Sequence, residues 1–391
     1  MKTTEIKLSA AGMLAPIGDE DEGRVEVVNK YLGTQDDRLD MDRLGKVQKL
    51  RRNFRFLSIV GFSAVLGSTW EWALVVAGIS TVNGGPAGAI WLFLIVCFGM
   101  FFVTLSMAEM ALMAPTSGGQ YHWVSEFAPK KFQKIASYVV GWLCVLGWQG
   151  AMASSMFAAA QQFEALIALN IPTYSIHGWH GTLLSIAIAL LAIVFNTVLV
   201  RKLRIFEGIA LVLHGFGFIA FMVVLWLLSP RSDVGQTWTD FQDNTGWGNP
   251  GLATLVGILG PIVTLVGGDS VCHLSEELRD ASWVLPRSVV VSAIVNYGLG
   301  FIMTVTIMMT RGDLETVMET NTGQVYVQVV INATRSRVGT SILTAAVAVL
   351  LVFCSSNSVT TASRQLFAFS RDKGLPFSKW ISTVSVPFAP G

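Results

Sequence analysis

Residues 57–80, LSIVGFSAVLGSTWEWALVVAGIS, and residues 252–275, LATLVGILGPIVTLVGGDSVCHLS, decide the fold. Each is long enough to cross a bilayer as a helix, which takes about 20 mostly apolar residues. Each is also interrupted near its middle. In the first, Gly67-Ser68-Thr69-Trp70-Glu71-Trp72 separates two apolar halves, and in the second Gly267-Gly268-Asp269-Ser270 does so. An acid at the centre of a membrane helix is costly, roughly 2.5–3.5 kcal/mol on insertion scales, unless it is protonated or faces water. Gly67 and Gly267 could simply let helices pack closely, as small residues do in membranes. Two acidic breaks in one chain argue for more than packing.

Six further apolar stretches, at about 87–107, 137–166, 182–200, 205–228, 289–309 and 340–369, bring the expected total to eight membrane helices. Composition agrees, because 52% hydrophobic and 14% charged residues in 391 is too apolar for an ordinary soluble domain. The expected fold class is therefore all-α and polytopic. A formal net charge of +1 without a basic, aromatic-interleaved run excludes a nucleic-acid partner. Residues 1–50 are polar, carry Asp19-Glu20-Asp21-Glu22 and read as a flexible tail, while 51–391 form the membrane domain. Basic residues beside the spans set the orientation. Placing the N-terminus in the cytosol puts sixteen Lys and Arg inside, among them Lys46, Lys130, Arg201 and Arg371, and four outside: Arg231, Arg311, Arg335 and Arg337.

The breaks fall in the first and sixth spans, so five spans separate equivalent positions and the second half runs through the membrane in the opposite sense. This is the pattern of an inverted-repeat transporter, with repeats at about 57–228 and 252–380 and a site where the breaks meet. Unwinding frees amides at one half-helix N-terminus and carbonyls at the other half's C-terminus. The amides suit a carboxylate, and the carbonyls with an acidic side chain suit an ammonium, so a zwitterion fits both.

Three further motifs carry a family likeness. Pro115-Thr116-Ser117-Gly118-Gly119-Gln120-Tyr121-His122-Trp123 follows span two, and Ala362-Ser363-Arg364 with Ser370-Arg371-Asp372-Lys373-Gly374-Leu375-Pro376 closes span eight. Together with Trp70-Glu71, Gly268-Asp269-Ser270 and His273-Leu274-Ser275-Glu276-Glu277, they resemble the amino acid-polyamine-organocation (APC) superfamily. The resemblance is strongest to its fungal amino acid/choline branch, which includes GABA and choline permeases. It implies a LeuT-like five-plus-five helix arrangement, alternating access, and proton-coupled uptake across a plasma or vacuolar membrane. Position by position it implies that Gly67, Ser68 and Thr69 meet a substrate carboxylate while Gly267, Gly268 and Asp269 complete the pocket, with Glu71 beside them. The family typically has twelve spans, against which this chain, with eight, is expected to be C-terminally truncated.

Other residues have two readings each. Glu71, Asp269 and His214 are candidates for the coupling proton, His214 because an imidazole titrates near neutrality; a hydrogen-bonded interhelical histidine is the alternative. Arg364 could close a cytosolic gate with an acid or snorkel to headgroups, and Glu276 and Glu277 could be gate partners or a solvated helix end. Ser355, Ser356, Asn357, Ser358, Thr360 and Thr361 make span eight polar, through a transport path or through helix–helix hydrogen bonds. Trp70, Trp72 and Trp148 could offer rings to a quaternary amine. Gly141, Gly147 and Gly150 read as packing positions against span one. Asn332 begins an Asn-Ala-Thr glycosylation triplet in an external loop. The four cysteines and five histidines lack metal-ligand spacing, and no nucleophile motif is visible, so no cofactor, metal or enzymatic activity is expected. The expected partner is a small amine-bearing solute with a proton, sodium being the weaker alternative. A choline or polyamine carrier and a non-transporting sensor are the rival functions.

Overall fold

A computed structural model describes residues 33–46, 48–199 and 202–383, without the side chains of Leu203, Arg204 and Glu315. The acidic run at 19–22 and Arg201 lie outside the described residues. The architecture is all-α. Seven helices among the described residues are long and apolar enough to cross a membrane, and a shorter apolar helix, Pro250–Leu265, occupies the place of the sixth span. Span one comprises Phe56–Gly67 and Thr69–Val75; spans two to five are Gly85–Met113, Gln133–Asn170, Gly178–Thr197 and Leu203–Leu228. Span six is Pro250–Val256 and Leu259–Leu265 followed by a tight 3-10 turn at Cys272–Glu277; spans seven and eight are Ala281–Thr310 and Arg337–Arg371.

Burial orders these helices from centre to edge. Span one is 72% buried over its most apolar window, whereas spans three and four are 17% buried. Outward-facing Leu183, Leu190, Ile209, Val212, Phe216 and Leu227 are exposed apolar side chains on spans four and five, as a lipid-facing surface requires. Span one is therefore shielded by the other helices, whereas span six presents Leu252, Leu255, Leu259 and Ile262 outward and buries its turn at Cys272–Glu277.

One end of the bundle carries most of the basic residues and is called here the basic face. The segment before span one is packed onto it. Thr34 caps the helix Gln35–Arg43, and buried Asp37 accepts from the amides of Asp280 (3.0 Å) and Ala281 (2.9 Å) at the start of span seven. An acid at a helix N-terminus offsets the partial positive charge of its free amides. Arg52 neutralises that acid at 3.1 Å, with both side chains about 1% exposed, and donates to the Leu278 carbonyl at 2.6 Å. Burial pulls the Arg52 guanidinium below its ordinary value, and Asp37 and Glu276 pull it back up. Phe54 adds a parallel bridge to Leu278, tying the approach to span one to the end of span six. At the opposite face, Asn83–Gly84 and Gln242–Asp243 form a short antiparallel pair.

Candidate functional site

The two interruptions are real breaks in the helices. Ser68 adopts φ 42°, ψ 40°, a left-handed conformation that costs a non-glycine residue about 1–2 kcal/mol, and the helix restarts at Thr69. Such a restart leaves the first amides of the new helix without intrahelical acceptors. In span six the helix stops at Leu265, Val266 is extended, and Gly267 sits at φ +95°, where a side chain would be strained. The breaks share a cavity with span seven, lined by Gly67, Thr69, Gly267 and Gly268 together with Ser63, Ser292, Asn296 and Tyr297. Its volume, about 10 Å³, holds about one water.

Span seven closes on this cavity tightly. Thr69 Oγ1 donates to the Asn296 carbonyl at 2.6 Å, and a Cβ on Gly67 would lie 2.8 Å from Asn296 Nδ2. Ser292 Oγ and Asn296 Oδ1 are buried there without hydrogen-bond partners. Sequence reasoning missed these span-seven residues; a lone asparagine inside an apolar helix is the signal that could have found them.

The candidate acids do not line this cavity and share no partner. Glu71, fully buried, meets His214 Nδ1 at 2.7 Å, and Trp70 Nε1 donates to the same nitrogen at 3.2 Å. An indole N–H can only donate and an imidazole nitrogen has a single lone pair, so the two contacts compete for Nδ1 and the shorter one dominates. Glu71 and His214 share one proton between Oε1 and Nδ1, and with it on Oε1 the pair is neutral, which removes charge from the membrane interior. Asp269 turns the other way and accepts from Gln120 Nε2 (2.6 Å) and Trp148 Nε1 (3.3 Å), with His273 Nε2 at 3.3 Å. His273 Nδ1 lies 3.0 Å from the Ser117 carbonyl, which can only accept, so the ring's other contact requires one further proton on either Nε2 or Asp269. Each break is thus flanked by its own carboxyl–imidazole pair.

At the basic face, the gate candidates find partners on span eight. Arg371 grips Glu276 with two bonds of 2.8 Å, and the Ser117 amide donates to the same carboxylate at 3.3 Å. Arg364 Nε meets Glu277 at 2.7 Å, and Lys46 meets Asp372 at 2.5 Å. Arg371 was not among the sequence candidates, although its place two helical turns beyond Arg364 puts it on the same face. Asn332 is exposed on the helix Val325–Thr334, where it accepts from Gln328, and so sits on a helix where a loop was expected.

The remaining expectations divide. The span-eight stripe makes interhelical bonds, with Ser356 and Thr360 to Asn196 and Asn357 to Glu207, while Ser355 and Ser358 bond back to their own helix. Trp70 packs against Phe218 and Phe221, away from the cavity. Gly141 admits Phe369 of span eight, not span one, and Gly147 and Gly150 have open space where a Cβ would go.

Broken helices around a shared cavity, with ion pairs across one face, are the features of a carrier-type membrane protein. Sequence comparison matches residues 54–390 to the family described as amino acid permease. A Macrophomina phaseolina protein, provisionally named an amino acid/polyamine transporter, is 32% identical over 85% of this chain and 74% of its own length. An uncharacterized amino-acid permease of Schizosaccharomyces pombe is 30% identical over 98% and 69%, and the GABA-specific permease of Saccharomyces cerevisiae is 26% identical over 94% and 66%. The chain belongs to the amino acid permease family, an integral-membrane transport family within the APC superfamily.

Proposed function

We propose that this protein is a secondary active transporter that takes up amino acids or GABA together with protons by alternating access. The observation that carries the reading is the cavity shared by the two breaks, beside which the helix restarts at Thr69. Gly67 and Thr69, which line it, would hold a substrate carboxylate, with Ser68 between them turned back to the Val65 carbonyl, and Gly267 and Gly268, which line the same space, would meet the amine end. Glu71 with His214, and Asp269 with His273, supply two places to hold a proton beside the breaks and would report substrate occupancy through the helix ends that carry them. The basic face is the cytosolic one in this reading, as the distribution of Lys and Arg implies. The ion pairs there, with a cavity of about 10 Å³, describe a carrier closed toward the cytosol with its site collapsed.

A proton-driven carrier must release the gate and expand the cavity before solute crosses. Breaking Arg371–Glu276 and Arg364–Glu277 would separate span eight from the end of span six, the segment that follows the break at Gly267 and Gly268. Tyr297 is the one aromatic ring lining the cavity among the described residues, which gives a quaternary amine little of the cage it needs and favours amino acids over choline.

Uptake of labelled GABA and amino acids into proteoliposomes, with and without an inward proton gradient, tests the reading, with choline and spermidine as competitors. Accumulation driven by the proton gradient is expected. Saturable uptake that ignores the gradient would remove proton coupling, uptake of choline alone would change the substrate class, and no uptake of any of these would return the sensor alternative.

A further inference from the structure

Span five carries a carboxyl group that the site above does not use. Glu207 lies near the basic end of that helix, and its only hydrogen bond among the described residues is from Asn357 Nδ2, at 3.1 Å to Oε2. The other oxygen, Oε1, is shielded from solvent and unpartnered, as are Asn357 Oδ1 and Thr361 Oγ1 on the facing helix. No described Lys or Arg reaches salt-bridge distance of Glu207. Among the described side chains an ionised carboxylate here would have one neutral amide as its partner, whereas the neutral acid carries no charge to compensate and leaves a single O–H, on Oε1, to be accommodated.

We infer that Glu207 is a third proton-binding site of the carrier, on the cytosolic side of the Glu71–His214 pair. The inference rests on the proton-coupled reading above. His214 follows Glu207 by seven residues on the same helix, two turns and about 10.5 Å along one face. The facing stretch of span eight supplies a thiol between these levels, Cys354, which donates to the Leu66 carbonyl at the span-one break, and hydroxyls of Ser358 and Thr361 from the level of Glu207 toward the basic face. A proton released from Glu71 as the breaks rearrange would have Glu207 as the next carboxyl on the way to the cytosol.

Among the described side chains, which do not include that of Arg204, few other charged groups face this position, and Lys202 at the start of span five is exposed. On span eight Arg364 is held by Glu277; span one contributes no titratable residue before Glu71, which is held by His214; on span four the nearest polar residue is Asn196, bound to Thr360; on span seven Arg287 lies over the Trp283 ring; and Tyr326, from the helix Val325–Thr334, bonds Gln162.

The test compares wild type, Glu207→Gln and Glu207→Asp in proteoliposomes, reading substrate exchange at equal pH and accumulation under a proton gradient. Exchange in Glu207→Gln is expected within about twofold of wild type, because the substrate cavity is untouched, while gradient-driven accumulation falls at least about tenfold and loses its pH dependence. Glu207→Asp is expected to keep that dependence. Where Glu207→Gln does not fold, Asn357→Ala serves, since removing the carboxyl's donor among the described residues is expected to move the pH profile of driven uptake toward alkaline pH. A wild-type proton response with an unchanged profile in these variants overturns the role of Glu207 and leaves the transport reading standing. A sodium requirement that vanishes in Glu207→Gln overturns the proton assignment. Wild-type uptake indifferent to both gradients defeats the coupled reading itself.

Discussion

Replacing Arg371 by alanine should open the basic face. Arg371 makes two bonds of 2.8 Å to Glu276, whose side chain is fully buried, while its own is 12% exposed. Removing one partner of a buried pair costs about 3–5 kcal/mol because the other charge is stranded. Glu276 keeps the Ser117 amide at 3.3 Å, so the lower figure, about 3 kcal/mol, applies. If the pair exists only while this face is closed, that energy shifts the closed-to-open equilibrium by roughly a hundredfold. The assay is modification of a reporter, Ser292→Cys, in a background lacking Cys97, Cys144, Cys272 and Cys354, with a membrane-impermeant thiol reagent added from the basic side. Labelling of Arg371→Ala is expected to be at least about tenfold faster than that of the parent, and the double variant with Glu276→Gln should resemble Glu276→Gln alone. Parent-like labelling of Arg371→Ala, or strictly additive effects of the two changes, would refute the idea that this pair holds the face shut.

Gly267→Ala places a side chain at φ +95° and should cost about 1–3 kcal/mol of strain at the break, lowering maximal uptake more than expression; normal uptake would show the break to be dispensable. Asp37→Asn should lower the melting temperature of the purified protein, since it leaves Arg52 buried without its 3.1 Å partner, and Asp37→Asn with Arg52→Met should recover much of the loss. Burial, aided by Lys46, holds the His122 imidazole below its ordinary value of 6.5, so protonation favours the unfolded chain. Its stabilising contribution is whole above pH 6.5 and is lost as the pH falls toward the folded value. Melting curves between about pH 7.5 and 5.5 should therefore fall more steeply for wild type than for His122→Gln, and parallel slopes would exclude the effect.

Hydropathy alone determined that this chain is a bundle of membrane helices, and glycine beside acid in spans one and six located both breaks, because a polar interruption of a long apolar run is too costly in lipid unless it meets a cavity or a partner. It also placed Glu276, Glu277 and Arg364 at one face, since charge cannot remain within the hydrocarbon. Which groups meet was beyond it. Glu71 and His214 are 143 residues apart and come together only because spans one and five pack side by side. Asp269 could have faced the cavity, yet the span-six turn aims it at Gln120 and Trp148. Helical periodicity relates a residue to its own helix alone, and in lipid every helix is apolar around most of its surface. Only packing, helix against helix, assigned Ser292 and Asn296 to the cavity, Glu207 to Asn357 and Phe369 to Gly141.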